Sequence, residues 1–167
     1  LPKPHQINLN NMVGYDDEYL WLVSEHQVLS CRINNERIEV LAKSPLFKSG
    51  LGQGLKIGNH LYVSSEKGRL LRFEFGKPQP EIIHIPNPYF NNETKLAKLS
   101  DGNILLFMTG MHQAILTPNT GKIRNVKVAG MPQEGSLDPA FAKQDSYGDV
   151  WLGTKRDGLY LMNKNIT

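Results

Sequence analysis

Residues 145–162, which read DSYGDVWLGTKRDGLYLM, decide the fold of this chain. A polar turn leads into an apolar-aromatic strand, and a second polar turn leads into a second apolar strand. Segments of the same layout lie at residues 18–31, 59–73 and 102–116. One apolar residue in the first strand of each segment marks the repeat; the markers are Trp21, Tyr62, Leu105 and Trp151. They lie 41, 43 and 46 residues apart, and an all-strand repeat of about 40–50 residues is typical of β-propeller blades.

Each repeat predicts a hairpin, and the hairpins lie near residues 18–33, 59–75, 102–117 and 147–163. Short strands are predicted before three of the hairpins, at residues 54–57, 95–99 and 140–143. Strands that alternate apolar and charged residues follow three of them, at residues 37–42, 80–85 and 122–128. An inner strand, a hairpin and a half-exposed outer strand make a four-stranded antiparallel blade.

The number of repeats predicts the architecture. The first blade gains an inner strand only if residues 6–9 supply it, and the last blade has no outer strand in the sequence. We therefore interpret residues 1–167 as one all-β propeller unit of about three to four blades, an arc of a larger propeller. The alternative is a small closed ring, which would require the N-terminal strand to complete the last blade. Because propeller blades bury their apolar faces against their neighbours, an open arc predicts self-association through blade faces or edges.

Composition excludes several classes of protein. The net charge of +3 is small and the basic residues are scattered, which argues against a nucleic-acid partner. No apolar run approaches the roughly 20 residues that span a bilayer. The single cysteine, Cys31, excludes an internal disulfide, and its apolar strand predicts a buried, inert thiol. Since the sequence starts at Leu1 without an initiator methionine, we interpret it as a processed protein or an excised piece.

The fourth repeat resembles the two-component regulator propeller repeat. The matching residues are Trp151, Gly153, Thr154, Asp157, Gly158 and Leu159. The other repeats match in part: the first keeps Trp21, the second keeps Tyr62 and Gly68, and the third keeps Gly102 before its strand.

This resemblance implies a function. It implies the periplasmic sensor region of a membrane-bound hybrid two-component histidine kinase of the kind found in gut Bacteroides, which senses polysaccharide breakdown products. The expected role is extracytoplasmic sensing of a carbohydrate such as an oligosaccharide. The fragment itself is expected to lack enzymatic activity, since any histidine kinase activity would lie in a region of the parent chain outside this sequence.

The repeat residues have two interpretations. The aromatic markers Trp21, Tyr62 and Trp151 could stack on sugar rings, but their repeated position favours packing between blades. Thr154 and Asp157 are expected to hydrogen-bond their own hairpin. Gly153 and Gly158 are expected to serve the strand and the turn of the same repeat.

The sequence leaves the ligand site unknown, and two of the histidines are candidates for it. His26 and His112 occupy the same turn of two different blades, so they could face a shared surface. No two of the five histidines lie closer than 21 residues, so no short metal-ligand spacing exists, and we expect neither a metal nor a cofactor.

Two other functions stay open. A protein-interaction scaffold would dock another protein through the propeller rim or edge strands, and a broad apolar patch would favour it. A propeller lyase or glycosidase would need a cleft with convergent carboxylates or a metal near the axis.

Overall fold

The computed structural model describes residues 8–126 and 138–162, which contain fifteen strands and one 3-10 turn at Thr109–Met111. The strands are β1 (Leu9–Gly14), β2 (Tyr19–Ser24), β3 (Val28–Asn34), β4 (Arg37–Lys43), β5 (Leu51–Ile57), β6 (His60–Ser65), β7 (Arg69–Glu74), β8 (Glu81–His84), β9 (Lys95–Lys98), β10 (Ile104–Phe107), β11 (Gln113–Thr117), β12 (Lys122–Val126), β13 (Pro139–Gln144), β14 (Val150–Thr154) and β15 (Leu159–Met162). They form four antiparallel sheets: sheet 1 (β1–β4), sheet 2 (β5–β8), sheet 3 (β9–β12) and sheet 4 (β13–β15). In each sheet the strands follow one another in chain order.

The second and third strands of each sheet form a central hairpin whose two faces are both apolar. In sheet 1, Leu20 pairs with Cys31 and Leu22 pairs with Leu29, while Trp21 lies between them on the opposite face. Since successive side chains of a strand point to opposite faces, a strand buried on both sides needs a continuous apolar run. This explains why β2 and β6 do not alternate apolar and polar residues.

An apolar core fills each space between consecutive sheets. Trp21 and Val23 of sheet 1 pack with residues of sheet 2, namely Leu61, Val63, Leu71 and Phe73. Tyr62 and Leu70 of sheet 2 pack with residues of sheet 3, namely Leu96, Ile104, Leu106, Ala114 and Leu116. Leu105 and Phe107 of sheet 3 pack with residues of sheet 4, namely Val150, Leu152 and Met162. The marker residues of sheets 1 to 3 therefore all point toward the following sheet.

The innermost strands lie side by side, with β1 beside β5, β5 beside β9, and β9 beside β13. Between β1 and β5, a side-chain amide replaces the backbone ladder. Asn11 Nδ2 donates a hydrogen bond to the Gly54 carbonyl at 3.1 Å, and the Gly54 N–H donates to Asn11 Oδ1 at 3.0 Å. Asn10 Nδ2 donates to the Leu51 carbonyl at 2.6 Å. Consecutive sheets are thus joined by side chains as well as by their apolar cores.

The inner strand of sheet 1 differs from the sequence prediction. The prediction places it at residues 6–9, of which 6 and 7 lie outside the described residues, whereas the strand is Leu9–Gly14. Its two consecutive asparagines break the apolar pattern of a strand. Their amides bond to β5, although Asn10 is exposed and Asn11 is half-buried.

The four sheets form an open arc, which confirms the predicted all-β propeller architecture. Within residues 8–126 and 138–162, no pairing joins a strand of sheet 4 to a strand of sheet 1. Each end of the arc therefore leaves one face without a neighbouring sheet among the described strands. Trp151 is accordingly half-buried at one end, whereas the markers Trp21 and Tyr62 are 0% and 2% exposed inside the arc.

Candidate functional site on the loop face

One side of the arc carries the central hairpin turns and the connections between sheets; we call it the loop face. It consists of residues 25–27, 44–50, 66–68, 85–94, 108–112 and 155–158. Hydrogen bonds tie each of the first two turns to the connection that follows it. The Phe47 N–H donates to the His26 carbonyl at 2.8 Å, and the Ile85 N–H donates to the Gly68 carbonyl at 2.7 Å.

A cleft of about 600 Å³ opens on the loop face between the β6–β7 turn and the connection from sheet 2 to sheet 3. Its lining is mixed, with charged groups on one wall and amides and apolar groups on the other. The lining residues are Glu66, Lys67, Gly68, Ile85, Asn87, Pro88, Phe90, Asn91 and Asn92. A carboxylate, an ammonium group and three amides supply hydrogen-bond donors and acceptors at one place.

Backbone geometry shapes the turn wall of this cleft. Lys67 and Gly68 both have positive φ, at 58° and 65°. A Cβ on Gly68 would lie only 2.7 Å from the Ile85 carbonyl oxygen, so the close approach of turn and connection requires glycine there.

The connection wall is held by asparagine side chains and by a close contact with β5. Asn87 Oδ1 accepts a hydrogen bond from the Tyr89 N–H, and Asn91 Oδ1 accepts one from the Glu93 N–H, both at 2.9 Å. The Asn92 carbonyl accepts a hydrogen bond from Ser64 Oγ at 3.3 Å and lies against Gly52. The amide oxygens thus fix the loop.

An aromatic pair lies beside the cleft at the rim of sheet 3. The rings of Tyr89 and His112 stack with their centroids 3.5 Å apart and 12° between their planes. Thr109 Oγ1 donates a hydrogen bond to the Tyr89 carbonyl at 3.3 Å. Tyr89 is 43% exposed, so part of its ring is accessible from solvent.

A group of charged residues lies further along the loop face, at the joint between sheets 3 and 4. Burial lowers the pKa of Lys95, the positive charge of Lys155 lowers it further, and Glu93 acts in the opposite direction. Lys155 Nζ lies 3.8 Å from Asp138 Oδ2. The inner end of β9 therefore presents a half-buried ammonium group close to the cleft connection.

The two candidate histidines lie on the loop face but outside the cleft lining. His26 Nδ1 lies 3.1 Å from the Phe47 carbonyl oxygen, and its Nε2 lies 3.8 Å from Glu25 Oε1. His112 stacks on Tyr89 two sheets away, and the structure does not bring the two histidines together. No group of three or more His, Cys, Asp or Glu side chains within residues 8–126 and 138–162 has the arrangement of a metal site.

The repeat residues of sheet 4 support their own hairpin. Thr154 Oγ1 accepts a hydrogen bond from the Asp157 N–H at 2.8 Å and donates to the Gly158 carbonyl at 3.2 Å. A Cβ on Gly153 would lie 2.2 Å from the Phe141 ring, so that ring lies directly over the glycine. Gly158 has a φ of 89°, which explains a glycine in that turn.

Asp145 anchors the aromatic marker of sheet 4. Its Oδ2 accepts a hydrogen bond from Trp151 Nε1 at 2.8 Å, and its Oδ1 accepts from the Tyr147 and Asp149 N–H groups. The Trp151 hydrogen bond, together with those backbone donors, lowers the pKa of this carboxyl group. Tyr15 occupies the matching position in sheet 1, and the buried Trp21 Nε1 has no hydrogen-bond acceptor in the described part of the chain.

Sequence reasoning missed the residues of the cleft. The sequence predicts that the segment PNPYFNN at residues 86–92 connects two blades, which it does, but not that it forms a wall of a cleft. Proline and asparagine are the usual residues of a connection, so the segment carries no sequence signal of a cleft.

Comparisons with known proteins bear on the fold. No protein-family model and no curated protein matches this chain. The extracellular domain of the putative one-component system BT4673 from B. thetaiotaomicron superimposes with a TM-score of 0.71 at 16% identity, over 100% of this chain and 23% of that one. The WD40 β-propeller domain of Doa1 gives 0.71 at 10% identity, over 97% of this chain and 53% of that one. The computationally designed Ika4 protein gives 0.69 at 12% identity, over 95% and 92%.

These likenesses show a β-propeller fold, and one similar structure is the extracellular domain of a one-component system. This chain spans less than two thirds of the BT4673 and Doa1 chains. No helix within the described ranges is long and apolar enough to cross a membrane.

Proposed function

We propose that this chain is part of an extracytoplasmic, ligand-sensing propeller of a two-component signal-transduction sensor, and that its ligand binds in the cleft on the loop face. The observation that carries the proposal is the cleft itself, where Glu66, Lys67 and three asparagines meet beside a partly exposed tyrosine. Binding sites are commonly built from loops on a rigid scaffold, as this one is. The role is binding, without catalysis by this part of the chain.

The lining favours a carbohydrate ligand. Sugar hydroxyls both donate and accept hydrogen bonds, and the amides and the Glu66 carboxylate complement them. The exposed part of the Tyr89 ring offers an apolar face for the C–H side of a sugar. The sequence resemblance to sensors of polysaccharide breakdown products favours the same ligand class, and the likeness to the extracellular domain of a one-component system favours a sensing role.

A titration with defined oligosaccharides tests the proposal, with NMR used to locate binding. We expect backbone amide shifts at residues 66–68 and 85–92, and none at residues 35–36, 58–59 and 118–121 on the opposite side. The double variant Glu66→Ala, Lys67→Ala should weaken binding at least about tenfold, equivalent to about 1.4 kcal/mol.

A matched control is available in the turn between β3 and β4. Glu36, like Lys67, is an exposed turn residue with a positive φ of 63°, but it lies on the opposite side of the arc. Glu36→Ala should leave the affinity unchanged. Shifts confined to the opposite side, or equal losses in both variants, would refute the assignment to the cleft, and release of a cleaved product would favour the enzyme alternative.

A further inference from the structure

The two ends of the arc carry the two halves of one kind of interface. Inside the chain this interface occurs three times, between sheets 1 and 2, 2 and 3, and 3 and 4. One half is the face that a sheet turns toward the following sheet, and the other is the face it turns toward the preceding one. Among the described residues, no sheet follows sheet 4, so the face that would pack on a following sheet is uncovered there. No sheet precedes sheet 1, so the face that would pack on a preceding sheet is uncovered there.

The free face of sheet 1 carries apolar side chains on all four strands. At its centre, Leu20, Leu22, Leu29 and Cys31 form a cluster to which no other described sheet contributes, and these four side chains are already buried, so the exposed apolar surface lies around them. Around them, large apolar side chains of the inner and outer strands are exposed: Met12 by 66%, Ile33 by 45%, Ile38 by 52% and Val40 by 41%. Register places Met12 opposite Leu22 and Val40 opposite Cys31, so the centre and the rim form one surface.

The free face of sheet 4 also carries exposed apolar side chains. Trp151 pairs with Leu161, and Gly153 pairs with Leu159 and Phe141. Phe141, Leu159 and Leu161 are 46%, 54% and 50% exposed. On the described strands of sheets 2 and 3, which lie inside the arc, large apolar side chains are exposed only singly, as at Ile82.

Register shows which residues would meet. Leu161 pairs with Trp151 as Ile115 pairs with Leu105, so Leu161 corresponds to Ile115. Cys31 pairs with Leu20 as Met162 pairs with Val150, so Cys31 corresponds to Met162. Because Ile115 and Met162 share the core between sheets 3 and 4, Leu161 of one sheet 4 would lie over the buried Cys31 of a sheet 1 and contact the exposed Val40 beside it.

We propose that two copies of this chain associate head to tail, with sheet 4 of each packed on sheet 1 of the other, into a closed ring of eight sheets. Two different faces must meet, so the contact is heterologous, and one copy supplies both halves. A ring of eight lies within the range of about four to eight blades in which propellers close. Lys143 lies on the inner strand of sheet 4 and Lys43 on the outer strand of sheet 1, so these charges stay apart.

The test is the solution mass of the whole chain by light scattering, together with two substitutions of opposite charge. Wild type should have twice the chain mass of 18.8 kDa at about 100 µM. Leu161→Glu and Val40→Lys should each weaken dimerisation at least about tenfold, because each places a charge in an apolar contact. The control Ile82→Lys, on the outer strand of sheet 2 and 46% exposed, should stay dimeric.

Mixing the two variants decides between this arrangement and unspecific association. In a mixed dimer, one contact brings the introduced carboxylate at position 161 against the introduced ammonium group at position 40, and the other contact is wild type. The dimer should therefore return, which also shows that both variants are folded. A wild-type monomer at every concentration, an equal loss in the control, or no rescue on mixing would overturn the proposal. A mass that rises past two chains would overturn ring closure.

Discussion

Adding one methyl group at Gly52 should both lower the free energy of unfolding and displace one wall of the cleft. This glycine lies in β5 and is buried. A Cβ there would lie 2.2 Å from both the Asn92 carbonyl oxygen and Ser64 Oγ. Ordinary contacts of this kind are longer by more than about 1 Å, so the connection that forms one wall of the cleft must move away.

The cost of Gly52→Ala follows from two terms. Overpacking a buried site costs about 1–3 kcal/mol. The shift also disturbs the hydrogen bond of the Ser64 hydroxyl, whose one hydrogen is shared between the Asn92 and Thr94 carbonyls and contributes about 1 kcal/mol. We expect a loss of about 3 kcal/mol in the free energy of unfolding, which lowers Tm by roughly 6–12 °C in a chain of this size.

Gly14→Ala is the matched control. Gly14 also lies in an inner strand, is exposed, and has no atom within 4 Å of the added Cβ. Alanine there should change stability by less than about 1 kcal/mol, in the stabilising direction. Urea denaturation of both variants gives the comparison, and NMR shifts at residues 85–92 report the cleft. If the two variants unfold within about 0.5 kcal/mol of each other, the contact between β5 and the cleft wall is not as described.

Two further predictions concern buried polar groups and a carboxylate. Ser64→Ala should destabilise the chain by about 1 kcal/mol, because the one hydroxyl hydrogen shared between the Asn92 and Thr94 carbonyls is lost. Ser65→Ala should be neutral or stabilising, since the buried Ser65 hydroxyl has no partner among the described residues, and equal urea midpoints for the two variants would contradict this. The pKa of Asp145 is lowered in the folded chain, so its contribution to stability should be present above the unfolded pKa of about 3.9 and be lost as the pH falls through the folded pKa. Asp145→Asn should therefore flatten the pH dependence of the free energy of unfolding below about pH 4. An unchanged pH profile would argue against the Trp151 hydrogen bond.

The architecture could be predicted from sequence because it is set by short-range patterns. Spacing of the aromatic markers and continuous apolar runs such as LWLV at residues 20–23 predict strands buried on both faces. Alternation in β4 predicts a strand exposed on one side, whereas every residue of β4 except Ala42 is exposed in the structure. These patterns need no knowledge of distant contacts, so the predicted arc of blades is confirmed.

The cleft could not be predicted, since its walls come from a turn and a connection that only the packing of sheets brings together. Asn10 and Asn11 give a misleading signal for the same reason, because their partners lie more than 40 residues away in β5. His26 and His112 share a turn position, yet each is engaged with a different connection. Equivalent positions in a repeat therefore predict the side of the arc, but not the neighbours.

The hydrogen bond from the Ile85 N–H to the Gly68 carbonyl has a mechanical consequence. It joins a turn of sheet 2 to the segment that leads into sheet 3, so a molecule held in the cleft would touch both sides of the joint between these two sheets. If the proposed ligand binds there, we expect the angle between these two sheets to be the quantity that binding changes, without any chemical step. The ligand could shift the balance between two inter-sheet angles only by as much free energy as the difference in its affinity for them. The apolar cores between the other sheets would transmit the change in angle to the ends of the arc.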